Sequence, residues 1–313
     1  MQPDPGERPD LLALRTLKLG DLLVAVPALR AIRRAHGEHR IILAAPGWLD
    51  PIVRLVDGVD VLLPTPGLNE PLPIVPGSVD VAVNLHGSGG ESRAMLERLR
   101  ARRQVGHRSP GWDGPEWLDG IHERVRWARL VTEHGMPADP GDVAIRVPSI
   151  LSPAPGAAVI HVGAFYGSRE WPVERFARVA SALSHDGRRV VVSGGSGDQI
   201  RAEEVSRLAG LPAQANLAGT LELDEFAALI AAAEIVVSAD TGAAHLASAY
   251  AVPSVVIFGP APVEEWGPPE DGPHIVLTDA RLRRGDTFSD QPDPALLAVA
   301  ASDVIAAARA LIG

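Results

Sequence analysis

EIVVSADTGAAHLASAYAVPSVVIFGP, residues 234–260, is the stretch whose reading decides the fold. Ile235 to Ser238 is an apolar run of strand length that leads into Asp240-Thr241-Gly242. A helix of small residues follows, with His245 in its first turn, and a second apolar run covers Ser254 to Phe258. Strand, tight turn, helix and strand in this order present a helix N-terminus to an anion at the carboxyl edge of a parallel sheet. Thr241 and Gly242 let the chain turn and expose backbone N–H groups, and Thr241 adds a hydroxyl. Ala243, Ala244, Ala247 and Ala249 let the helix lie close against the sheet. A pyrophosphate suits such a corner.

The same alternation runs outward in both directions, which is the pattern of an α/β protein with parallel sheets. On the N-terminal side, strands are expected over 11–14, 41–44, 61–63 and 79–84, and helices over 21–35, 91–104 and 120–135. Prolines and glycines then crowd residues 135–156, GMPADPGDVAIRVPSILSPAPG, a composition that marks a linker. After it come strands over 159–162 and 190–193 and helices over 173–184, 199–209 and 223–233. The alanine-rich tail 294–312 reads as one closing helix that could pack back on the N-terminal half. The expectation is two Rossmann-like doubly wound domains, 1–150 and 151–313, with a ligand cleft between them.

Composition narrows the classes of function. The chain has 313 residues, 46% apolar and 22% charged, an ordinary globular balance. A net charge of −10 argues against non-specific nucleic-acid binding, which needs a basic face. There are no cysteines, so disulfides, thiol catalysis and Cys-ligated zinc are excluded. MQPDPGERPD at the N-terminus has no apolar signal-peptide core, and no uncharged apolar run approaches the ~20 residues that span a bilayer. A cytoplasmic protein with at most peripheral contact at the inner face of the membrane is expected.

Three further segments carry candidate chemistry. In Leu17-Lys18-Leu19-Gly20-Asp21, Gly20 permits close backbone approach and Asp21 stands where a helix begins. Asp21 either caps that helix or offers a carboxylate able to take a proton from an acceptor hydroxyl. In GAFYGSREWP, residues 163–172, a turn opening on Gly163 leads through Ser168 to Arg169 and a Trp-Pro helix start. Arg169 could bind phosphate oxygens bidentately, or the segment could be an ordinary loop. In GGSGD, residues 194–198, Asp198 ends a glycine-rich strand end suited to a ribose or base edge, though a plain turn explains it nearly as well. The arginines at 93, 98, 100, 102, 103 and 108 read as a solvated helix face, with an anionic acceptor as the lesser reading.

LRTLKLGDLLVAVPALRAIRRA at 14–35, HVGAFYGSREWPVERFARVA at 161–180, VSGGSGD at 192–198 and the block 216–260 resemble, in this order, glycosyltransferase family 9, the heptosyltransferase family. The resemblance implies a GT-B architecture, with the acceptor on the N-terminal domain and a nucleotide-sugar donor on the C-terminal one. It implies an inverting, metal-independent, cofactor-free transfer that serves cell-envelope polysaccharide synthesis. The donor would be a nucleoside-diphosphate sugar such as ADP-heptose, the acceptor a glycan or glycolipid. By the family pattern Asp21 matches the general base, and Asp240, Thr241, Gly242, Ala243, Ala244 and His245 match the donor phosphate and sugar contacts. Asp198 falls near a carboxylate that binds the nucleoside, and Leu221 near a position whose backbone meets the base. Gly20, Gly163, Ser168 and Arg169 complete the donor-binding set, Arg169 standing where better-known members carry a lysine.

Two other classes remain on the residues alone. A dinucleotide-dependent oxidoreductase is the weaker, because the first strand leads into LKLGD and not into a G-x-G-x-x-G turn. A catalytically idle sugar-nucleotide-binding protein of the same fold differs only in showing no transfer.

Overall fold

The computed structural model describes residues 8–313; the first seven residues of the polar N-terminal stretch lie outside them. The chain divides into two compact units, one ending at Arg146 and the other spanning Val147–Gly313.

The first unit holds five strands: β1 (Asp10–Leu14), β2 (Arg40–Ala45), β3 (Val61–Pro64), β4 (Val79–Asn84) and β5 (Arg103–Val105). All pairings are parallel and the order is β3-β2-β1-β4-β5. Leu11, Leu12, Ala13 and Leu14 of β1 are all fully buried, the unbroken apolar run that a strand covered on both faces requires. The strand order reverses between β1 and β4, so loops diverge beyond Leu14 and Asn84 and leave room for a ligand there.

The expected helix over 21–35 is two helices, Leu19–Val24 and Val26–Ala35. Pro27 lies in the first turn of the second, and its missing N–H interrupts the hydrogen-bond ladder. The helix expected over 91–104 spans Gly90–Glu97. Arg100 adopts a left-handed φ of 50°, and Arg103–Val105 then forms the edge strand β5, too short and too charged to read as a strand. The clustered arginines are thus not one helix face. Arg102 pairs with Asp80 at 2.5 Å, Arg103 donates to the His134 carbonyl at 2.6 Å, and Arg108 meets Glu116 at 3.3 Å.

The second unit repeats the theme with β6 (Ala158–His161), β7 (Val190–Ser193), β8 (Ile235–Ala239), β9 (Ser254–Ile257) and β10 (His274–Leu277). These are parallel in the order β10-β9-β8-β6-β7, so the reversal falls between β6 and β8. β10 had no counterpart in the sequence reading; its four residues are all half-buried at the sheet edge. The tail is not one helix but two, Pro294–Leu297 and Ala301–Ile312, the longer packed on the helix Val173–His185 and on β8, β9 and β10 of its own unit. Trp171, Phe176, Ile160, Val237, Ile257 and Val304 share one core beneath this sheet.

Candidate active site

The carboxyl ends of β6 and β8 bring together residues far apart in the chain. Asp240, directly after β8, is 4% exposed. Its Oδ2 lies 3.5 Å from Nη2 of Arg169, and its Oδ1 lies 3.9 Å from Nε2 of His245. The His245 ring meets Trp266 edge-on with centroids 6.4 Å apart. Thr241 is the N-cap of the helix Gly242–Ala249, in extended conformation, yet its side chain makes no capping hydrogen bond. The amides of Gly242 and Ala243 belong to the first turn and so have no intrahelical acceptor. Ala243 and Ala244 are buried, as close packing of this helix on the sheet demands.

Two donors at this corner are buried without a partner, the Thr241 hydroxyl and Nε of Arg169. Buried polar groups in folded proteins are almost always paired, and an unpaired one costs on the order of 1–3 kcal/mol. Together with the open first-turn amides they form a convergent set of donors with nothing to donate to. That is the arrangement an anion would complete.

Arg169 is aimed by a braced loop. Ser168 is fully buried: its hydroxyl donates to the Thr287 carbonyl at 2.9 Å and its N–H to that of Ser289 at 2.8 Å. The structure therefore gives Ser168 the task of tying the loop to residues 287–293, not an open hydroxyl. From the other side Arg201 donates to the carbonyls of Val162, at 3.2 Å, and Trp171. Trp171 is wholly buried, edge-on to Phe176 at 4.8 Å, and its indole N–H donates to the Val299 carbonyl.

Gly163 and Asp198 meet beside β6. A Cβ at 163 would fall 2.7 Å from Oδ2 of Asp198 and 2.8 Å from Nε2 of His161, closer than real Cβ contacts come. Only glycine fits here. Asp198 Oδ2 also accepts the Gly195 N–H at 2.7 Å, so the GGSGD turn holds the carboxylate toward the end of β6. His161 bonds the Ser193 hydroxyl through Nδ1 at 3.1 Å and lies against Phe226 with centroids 5.2 Å apart. Burial pushes its imidazole down to about 4, so it is neutral at physiological pH. Leu221 is half-buried just ahead of the helix Leu223–Ala231, which carries Phe226.

Asp21 and Gly20 belong to the N-terminal unit, in the helix Leu19–Val24 beyond β1. Oδ2 of Asp21 accepts the Lys18 N–H at 3.2 Å, so the capping role is real. Its Oδ1 lies 3.6 Å from Nη2 of Arg15, and a quarter of the side chain (25%) is exposed. Arg15 is 1% exposed; its guanidinium donates to the backbone carbonyls of Asp21 and Leu85 and stacks 4.6 Å above Trp127. Burial pushes the Arg15 guanidinium down from its usual range while Asp21 and Glu123 act against that. His86, at the end of β4, is held near 4 by burial and by Arg15, with Asp21 opposing. The loops beyond β1 and β4 thus place a carboxylate, a buried cation and a neutral imidazole within electrostatic range of one another.

Arg15, His86, His161 and Arg201 were not singled out in the sequence. Arg15 and His161 stand at the carboxyl ends of the strands that flank a reversal of strand order, the position that could have drawn notice. Among the described residues no group of three or more His, Asp or Glu side chains is placed to hold a metal ion, and no helix is long and apolar enough to cross a membrane.

Residues 144–287 match the family model described as glycosyltransferase family 9 (heptosyltransferase). The lipopolysaccharide heptosyltransferase 2 of Escherichia coli K12 is 23% identical over 86% of this chain and 88% of its own. A family 9 glycosyltransferase from Veillonella parvula superposes with a TM-score of 0.78 at 19% identity, covering 98% of both chains. The ADP-heptose LPS heptosyltransferase II of E. coli does so with a TM-score of 0.75 at 20% identity, over 97% of this chain and 98% of that one. The fold is therefore that of the GT-B heptosyltransferases.

Proposed function

We propose, for a chain that is a heptosyltransferase-like glycosyltransferase of family 9, that it moves a sugar from a nucleoside diphosphate, ADP-linked, to a hydroxyl of a glycan or glycolipid by single inverting displacement. The observation that carries this is the donor corner: Arg169 and Thr241 hold buried, unpartnered donors at the carboxyl end of β8, beside the open N-terminus of the helix Gly242–Ala249.

In this reading the diphosphate occupies that corner. The Gly242 and Ala243 amides, the Thr241 hydroxyl and the Arg169 fork accept the charge that develops as the bond from the anomeric carbon to the phosphate oxygen breaks. Asp198, held toward the end of β6 by the Gly195 amide, receives the ribose hydroxyls. His245, beside Asp240, meets the sugar. Asp21 takes the acceptor proton as the acceptor oxygen forms its bond to the anomeric carbon. Attack opposite the leaving diphosphate inverts that centre. Transfer needs no metal in this scheme, because fixed protein donors receive the leaving group, so turnover in excess EDTA equals turnover without it. The enzyme works in the cytoplasm, with at most peripheral contact with the inner face of the membrane where a glycolipid acceptor would lie.

A thermal-shift screen against ADP, GDP, UDP and their sugar conjugates tests the donor site, since a ligand of the native state raises the melting temperature by mass action. A selective rise with ADP and ADP-sugars is expected. No rise with any of them at millimolar concentration overturns the donor reading.

A further inference from the structure

We propose that Arg283 is a second cation of the donor corner, binding the sugar-bearing phosphate of the nucleoside diphosphate beside Arg169. This rests on the donor-site reading above.

Arg283 follows β10 and the short turn Ala280–Leu282. Its side chain is only 17% exposed, and both Nε and Nη2 are buried with no hydrogen-bond partner. The remaining nitrogen, Nη1, reaches only to 4.0 Å from Oε2 of Glu264, a carboxylate that is itself 69% exposed. A guanidinium has five N–H donors and never gives up its charge. Burying two of its nitrogens without acceptors opposes folding, so the arrangement makes physical sense where a ligand supplies the acceptors. The Thr278 hydroxyl, one residue beyond β10, is likewise buried and unpartnered.

Two independent connections place this group beside the donor corner. Glu264 lies on the helix Val263–Trp266, and Trp266 is the ring that meets His245. On the other side, the neighbouring Arg284 donates its N–H to Oδ2 of Asp293 at 3.0 Å. The Asp293 N–H in turn donates to the carbonyl of Ser168 at 3.0 Å, the residue immediately before Arg169. The two arginines therefore emerge from one hydrogen-bonded knot.

Charge balance gives Arg283 a purpose. Asp240 already offsets the single positive charge of Arg169 at 3.5 Å. A departing diphosphate carries more negative charge than that pair and the first-turn amides oppose. A second guanidinium, able to fork onto phosphate oxygens, redresses the balance.

Calorimetric titration of ADP and AMP into the wild type, Arg283→Gln and Arg283→Lys tests this, with unliganded melts of all three. In Arg283→Gln, ADP binding weakens by roughly tenfold or more, the scale of one lost charged contact, while AMP binding stays within about twofold. Arg283→Lys retains part of the ADP affinity. The unliganded Arg283→Gln protein melts no lower than the wild type, since a guanidinium with two buried, unpartnered nitrogens and only a long contact to an exposed carboxylate has been removed. Unchanged ADP affinity in Arg283→Gln, or equal weakening toward ADP and AMP, overturns the assignment. So does a lower unliganded melting temperature that lysine restores, which marks a structural role. A wild type that binds neither nucleotide defeats the donor reading itself, and the inference with it.

Discussion

Nη2 of Arg169 lies 3.5 Å from Oδ2 of Asp240, and this contact joins the loop after β6 to the end of β8. Asp240 is almost wholly buried, and its other carboxylate oxygen lies 3.9 Å from Nε2 of His245. The pair orients the arginine toward the helix N-terminus while holding a buried carboxylate in check.

The pair is expected to be energetically coupled. Arg169→Ala strands a buried carboxylate and should cost about 1–3 kcal/mol, with a coupling of about 0.5–3 kcal/mol to Asp240→Asn. Denaturant unfolding of the wild type, both single variants and the double variant measures the coupling. Strictly additive losses would mean that the contact does nothing for stability.

Asp21→Asn keeps an oxygen to accept the Lys18 N–H and so should leave the fold intact. Turnover should fall by about 100-fold or more, the usual worth of a general base, with ADP affinity unchanged. Radiolabelled sugar transfer alongside a binding titration separates the two effects. Undiminished transfer would remove Asp21 from the mechanism.

Gly163→Ala pushes a methyl against Asp198 and His161. Overpacking of this kind costs about 1–3 kcal/mol. Displacing Asp198 should also weaken nucleoside binding, so both the melting temperature and the ADP affinity drop. Alanine tolerated in both assays would show that Asp198 and His161 give way freely.

Burial holds His161, His86 and His107 at about 4, below the 6.5 of a free histidine. Between about pH 4 and 6.5 the unfolded chain therefore binds more protons than the native one, so stability rises with pH across that window. It is fully present above about 6.5 and is lost as the pH falls. Melting temperatures measured from neutral pH down to about 4.5 should follow this slope, and His161→Gln should flatten it. A melting temperature independent of pH would contradict the burial of these rings.

Much of the architecture was legible because parallel strands covered on both faces must be apolar throughout. Leu11–Leu14 and Ile235–Ser238 announce themselves for that reason. β5 and β10 did not: β5 is three residues with one apolar side chain, and β10, though apolar at Ile275, Val276 and Leu277, is four residues long and only half-buried at the sheet edge. The broken helix at Ala25 could have been read from Pro27, whereas the two-helix tail has no such marker at its break.

The sequence by itself determined the α/β class, the two-part organisation and the corner at Asp240 to His245, because strand hydrophobicity, helix-starting turns and linker composition are local properties. Tertiary structure decided the rest. It buried Ser168 as a brace and set Arg169 against Asp240. It wedged Asp198 and His161 around a glycine, and it left Thr241, Thr278 and Arg283 with buried donors and no acceptors. Such relationships arise where loops from different strands converge at one sheet edge, and whether a polar atom finds a partner there depends on residues far away in the chain.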